Sequence, residues 1–289
     1  MQTSRAKGQP DYTAVTMQLA GKALAMATDS APHRAREGEL RWPIANALPA
    51  ARVLVGQAEQ HDHQLLRAVA VSLNETLAED TGKITDGFGH ARPSYGLLAI
   101  HLLGSAAHLA DQPDTLDLIK QAAVTLLDRN PTDDGPPEPR LAFWRRLIAR
   151  QHGLQEAEEL PLPNTGPAPL VPLGLDDLID SWTYYELVGL HGLHLCNLVE
   201  PNETLAQQIR SVAEYHLGHT QPDYTTYQPW GLAAFASDVY TAMFAEQQLH
   251  DVATHLSIEG PGGAVLPALL LADNAAAMSG TLSKVWRRD

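Results

Sequence analysis

A loop rich in Gly, Pro, Asp and aromatic residues returns along this chain about every 45 residues, each time ahead of an apolar stretch with helical spacing. The loops read Arg36-Glu37-Gly38-Glu39-Leu40-Arg41-Trp42-Pro43, Thr85-Asp86-Gly87-Phe88-Gly89-His90-Ala91-Arg92-Pro93, Thr132-Asp133-Asp134-Gly135-Pro136-Pro137-Glu138-Pro139 and Gln221-Pro222-Asp223-Tyr224-Thr225-Thr226-Tyr227-Gln228-Pro229, with a fainter Glu259-Gly260-Pro261-Gly262-Gly263 near the end. The connections between them are short and plain, as at Asp111-Gln112-Pro113 and Glu200-Pro201-Asn202. One helical hairpin with its two connections takes about 45 residues, so the pattern predicts an all-α chain of helical-hairpin repeats.

Ala and Leu dominate the intervening segments, which predict helices over about 11–28, 43–57, 60–79, 94–110, 114–128, 139–153, 176–198, 203–217, 229–247, 248–256 and 263–278. Pro93-Ser94, Asp114 and Asn202 stand where helix starts need them, and Pro229 suits a first turn. No segment alternates apolar and polar residues long enough to predict a strand. The Pro-rich stretch 156–174 reads as a long loop packed across a single domain spanning 1–289.

Thirty-four acidic against 20 basic residues give a net charge of −14. That field repels a phosphate backbone, and no Lys/Arg run offsets it, so nucleic acid is not an expected partner. Cys196 is the only cysteine, which excludes an intrachain disulfide and the zinc sites built from several thiolates. The polar start, Met1 to Pro10, lacks a leader's apolar stretch, and no apolar run approaches the ~20 residues that span a bilayer. A cytoplasmic protein that meets no membrane is the expectation. No Gly-rich phosphate loop, Gly-x-Ser-x-Gly elbow or Rossmann fingerprint is present, so no cofactor is expected.

Thr-Asp-Gly at Thr85–Gly87, Asp-Asp-Gly at Asp133–Gly135 and Gln-Pro-Asp at Gln221–Asp223, each leading into an apolar helix, resemble the loops of the α/α-toroid proteins. Those include the six-hairpin glycosidases and the terpenoid-cyclase-like barrels. The resemblance covers about residues 35–270 and implies a closed or partly closed toroid with the long loops around a central cleft. The chain is shorter than a typical six-hairpin enzyme, and its fifth and sixth units are hard to complete.

Within that frame the expected function is a carbohydrate-active enzyme of hydrolase or lyase type, acting on a small-molecule or oligosaccharide substrate. Aromatic faces beside carboxylates suit sugar rings, and two carboxylates from different loops could flank a glycosidic bond as acid and base. The candidate acids and bases are Asp86, Glu186 and Asp223. The candidate substrate contacts are His90, Arg92, Tyr95, Tyr185, Tyr224, Tyr227 and Trp230. An isoprenoid-handling enzyme is the alternative, because Asp176-Asp177-Leu178-Ile179-Asp180 matches a magnesium-diphosphate motif. A non-catalytic helical repeat binding a peptide or protein partner is a third reading.

The histidine pairs His191/His194 and His216/His219 have the spacing of metal ligands, without the Glu of a zincin motif. No metal is expected, and His101 and His191 read better as satisfied interior histidines.

Overall fold

The computed structural model describes residues 10–27, 41–79, 82–86, 88–128, 138–154, 166–175, 177–220 and 227–287. The described residues are predominantly helical: α1 (Tyr12–Ala27), α2 (Leu48–Leu54), α3 (Gln60–Ala78), α4 (Pro93–Leu109), α5 (Pro113–Asp128), α6 (Ala142–His152), α7 (Ile179–Val199), α8 (Glu203–His219), α9 (Leu232–Ala236), α10 (Ala242–Ile258), α11 (Pro261–Met278) and α12 (Thr281–Trp286). Short 3₁₀ turns, Ile44–Ala47 and Pro139–Leu141, lead into α2 and α6. No described helix is long and apolar enough to cross a membrane.

Burial sorts the helices into two kinds. From Ser94 to Ala107 every residue of α4 is buried, and α7 and α11 are almost as enclosed. Helices apolar on all sides have no solvent face to offer and take the middle of the molecule. By contrast α3 buries one stripe, Leu66, Ala70, Leu73 and Leu77, and α5 buries Thr115, Ile119, Ala122 and Ala123. Contacts run from α2 to α4, α6, α7, α9 and α11, and from α11 back to α2. One-faced helices pack against that series: α3 and α5 on α2 and α4, α8 on α7, α10 on α9 and α11, and α1 along α11.

Local chemistry fixes the helix starts. Glu59 and Asp62 form a reciprocal capping box at α3, and the Asn202 side chain accepts from Leu205 N at 2.8 Å to start α8. Within α11, Pro267 has no N–H for the carbonyl of Gly263, and His255 Nε2 stands 3.3 Å from that oxygen instead.

Four features differ from the sequence expectation. Residues 41–43 and 83–85 form parallel strands β1 (Arg41–Pro43) and β2 (Lys83–Thr85), with Trp42 opposite Ile84. The helix predicted over 229–247 is broken between α9 and α10. There Tyr240 N donates to Asp238 Oδ1 at 2.8 Å, and Thr241 Oγ1 donates to Phe235 O at 2.8 Å, closing off the helix end. The segment predicted as a separate helix at 248–256 continues α10. Finally, α12 follows α11 after Gly280, whose φ of 76° suits glycine.

Of the predicted long loop 156–174, the described part is fastened to two helices. Ser211 Oγ donates to Gly166 O, and Trp182 Nε1 donates to Val171 O at 2.8 Å.

Candidate functional site

The parallel pairing of β1 and β2 sets Arg41–Pro43, the end of the first rich loop, beside Lys83–Thr85, which leads into the second, just ahead of α2 and α4. Asp86 organises the second of them. Its Oδ1 accepts from Phe88 N at 2.8 Å and His90 N at 2.9 Å, while Oδ2 lies 3.3 Å from His90 Nδ1. Gly89, at φ 87°, makes the turn that a side chain would oppose. His90 itself projects into solvent, with a side chain 75% exposed.

Beyond this turn Arg92 lays its guanidinium over the Tyr184 ring, 4.0 Å from the centroid. Ser94 Oγ and Tyr184 OH are 2.8 Å apart, and Tyr95 also hydrogen-bonds Tyr184. Burial pushes the Tyr95 phenol up to about 12, helped by the negative charge of Asp86 and opposed by Arg92, with Tyr227 also acting on it. Burial likewise raises Tyr185, which Arg92 and Arg140 oppose and Glu138 reinforces. Arg92, Ser94, Tyr95, Tyr184 and Tyr185 therefore meet at the N-terminal ends of α4 and α7, with Asp86 and Tyr227 near enough to act on Tyr95 electrostatically. Tyr227 stacks on His255 with centroids 4.4 Å apart. Asp223 and Tyr224 lie outside the described residues.

Three predicted residues are buried, Tyr95 at 1% exposure along with Trp230 and Glu186. Trp230 is fully buried, edge-on to Trp144 at 5.9 Å and Tyr184 at 6.1 Å, so it supports the site from below. Glu186 is also fully buried. It accepts from Leu170 N at 2.7 Å, Val171 N at 2.9 Å and Arg140 Nη1 at 3.2 Å, and His216 Nε2 is 3.4 Å away. Three N–H donors thus engage it, and it ties the 170–171 backbone to α7. Arg140 is held in turn by Glu138 and the Trp182 carbonyl.

The middle of the bundle is filled. Asp273 on α11 accepts from His101 Nε2 and His191 Nε2, each at 2.9 Å, and the far side of His101 meets the Gln151 amide. Trp144 packs against His101, His191 and Trp230 and donates to Val188 O at 2.7 Å. His101 and His191 are interior histidines, as expected, although His191 Nδ1 lacks a partner among the described residues. The central cleft expected from the sequence is occupied at this level by packed rings and a buried carboxylate. Sequence reasoning passed over Asp273, the one charged residue in α11, which that isolation alone could have flagged.

An open cleft of about 380 Å³ lies elsewhere, lined among others by His108, Lys120, Gln151, His152 and Trp286. His108, Gln151 and His152 close the C-terminal ends of α4 and α6. The 17 residues of α4 span about 25 Å at 1.5 Å per residue, so this cleft faces the end opposite Arg92 and Tyr95.

For a metal, His191 is committed to Asp273, and His216 Nδ1 to Thr220 Oγ1 at 2.6 Å. Among the described residues no group of three or more His, Cys, Asp or Glu side chains is arranged to hold a metal ion. In the Asp-Asp-x-x-Asp segment, Asp177 Oδ2 accepts from Gly174 N at 2.6 Å, and Asp176 lies outside the described residues. Comparison with protein-family models, with characterised proteins and with solved structures gives no match.

Proposed function

We propose that the chain is a closed α/α toroid acting on a carbohydrate or similarly polar ring compound, bound where the N-terminal ends of α4 and α7 meet the residues before α9. The return of helix contacts from α11 to α2 and the parallel pairing of β1 with β2 support the toroid. What carries the functional reading is the gathering of Arg92, Tyr95 and Tyr185, with Asp86 and Tyr227 near enough to act on Tyr95. The part-exposed rings of Tyr185 and Tyr227 offer surface for a sugar ring, the buried Tyr95 holds Tyr184 in place, and the guanidinium and carboxylate offer hydrogen bonds at the sugar's edge. Asp86 and Asp223 are the carboxylates for acid–base work in this reading, with Glu186 as a positioning residue that holds the 170–171 backbone. The isoprenoid alternative has weaker support, because it needs an apolar cavity and the interior carries a polar His–Asp–His group.

A thermal-shift panel of oligosaccharides, and of diphosphates with magnesium, tests the reading. A saccharide is expected to raise the Tm of the wild type, and Arg92→Gln with Tyr95→Phe to remove that shift. If no saccharide stabilises the fold, or only magnesium diphosphates do, the reading is lost.

A further inference from the structure

At the other end of the bundle, the 380 Å³ cleft gathers positive charge in a chain whose net charge is −14. Among the described residues Lys120, Lys284 and Arg287 line it against a single carboxylate, Asp117. Neither Lys120 nor Lys284 makes an ion pair with a described residue, so their charge is directed at the cleft and solvent. Gln151 and His152 of α6 line it from the inside. His152 is 8% exposed, and its Nε2 has no partner among the described residues. That nitrogen packs against Gly104 of α4, where a β-carbon would stand only 3.2 Å from it, so the imidazole backs the wall and does not open onto the cleft. The flat part of the wall is Trp286, held by its donation to Ser105 Oγ at 2.9 Å and packed on the His108 ring at 5.2 Å.

We propose that this cleft binds a small organic anion, a carboxylate or phosphate monoester, with its charged head between Lys120 and Lys284 and its flat body against Trp286. The volume falls in the range of small-ligand sites. The basic side chains supply an attraction that the chain's overall field opposes, so binding is local and weakened by salt. Burial, reinforced by the charges of His101 and Lys120, pulls His152 down to about 4. The imidazole is therefore neutral near pH 7, so the charge of the wall comes from Lys120, Lys284 and Arg287. This site is independent of the sugar-binding reading and stands or falls separately.

Calorimetric titration of the full chain at low ionic strength tests it, with phenyl phosphate, benzoate and the neutral benzyl alcohol as probes. At least one anion is expected to bind saturably at one site, at least tenfold more tightly than benzyl alcohol, and the better anion tells phosphate from carboxylate. K120Q with K284Q, both on exposed side chains, is expected to weaken that anion at least tenfold. R210Q on α8 and Tyr95→Phe are expected to leave it unchanged. Absence of anion binding, equal binding of benzyl alcohol, or wild-type affinity in the double variant would each overturn the proposal.

Discussion

His101 and Asp273, 172 positions apart, meet inside the bundle with imidazole Nε2 2.9 Å from the carboxylate. Burial alone would raise Asp273, but the charge and hydrogen bonds of His101 and His191 outweigh it and hold the carboxyl well below the usual range. The same pairing raises His101 against the opposing pull of its own burial. A charged acceptor shared by two donors thus joins α4, α7 and α11, and Gln151 extends the group to α6.

Asp273→Ala leaves two buried imidazoles without their acceptor. Breaking a buried pair by removing one partner costs about 3–5 kcal/mol. Urea unfolding is expected to show a loss of that order, with Asp273→Asn losing less because its amide oxygen still accepts one bond. A loss below ~1 kcal/mol in the alanine variant would mean that the group does not hold the helices together.

Stability should respond to pH in two opposing ways. His152 falls from 6.5 to about 4 on folding, so the folded state favours its neutral form. Its contribution is complete above 6.5 and is lost as pH falls toward 4, a span worth ~3 kcal/mol by linkage. His101 is raised above 6.5, so its contribution is complete below that pH and is lost as pH rises through its folded value. Denaturation across pH 4 to 8 in His152→Asn is expected to show a shallower acid limb than wild type. An unchanged acid limb would remove His152 from the account.

Close packing makes Gly192 a sensitive position. A β-carbon there would lie 2.6 Å from Trp144 Cδ1, and the indole is fixed by its bond to Val188 O and by rings on several sides. Overpacking of this kind costs about 1–3 kcal/mol, against about 1 kcal/mol that Gly→Ala gains inside a helix. Gly192→Ala is therefore expected to be destabilised or nearly neutral, with a changed near-UV dichroism from the Trp144–Trp230 pair. Clear stabilisation with an unaltered spectrum contradicts that packing.

Helical class was legible because the apolar patterns are long and their ends are marked. Pro93 and Asn202 begin helices as their chemistry suggests. The break after α9 was not legible, since Ser237 to Thr241 is too short to interrupt a periodicity, and the strands β1 and β2 are three residues each. At the candidate site, the repeat of rich loops singled out Asp86 and Tyr227, each of which acts on Tyr95. The commitments of Glu186 did not, because Leu170, Val171 and Arg140 reach it from segments 15 to 46 positions away. The opposite cleft was invisible for the same reason: α4, α5, α6 and α12 each contribute only one or a few of its residues.

Glu186 gives the sharpest separation of roles. Its oxygens accept from Leu170 N, Val171 N and Arg140, so neutralising it weakens three bonds and leaves the buried Arg140 with less compensation. Glu186→Gln keeps one acceptor oxygen but turns an NH₂ group toward a donor. The variant is expected to lose on the order of 2–4 kcal/mol in urea unfolding and to become open to protease cleavage within 166–175, while Gly189→Ala, whose β-carbon would stand 2.6 Å from Leu170 Cδ1, disturbs the same segment from below. A residue acting only as a proton donor to substrate would behave otherwise, losing turnover with stability and protease resistance intact. Loss of stability together with cleavage at the strap identifies the clamp, and the two measurements need no knowledge of the substrate.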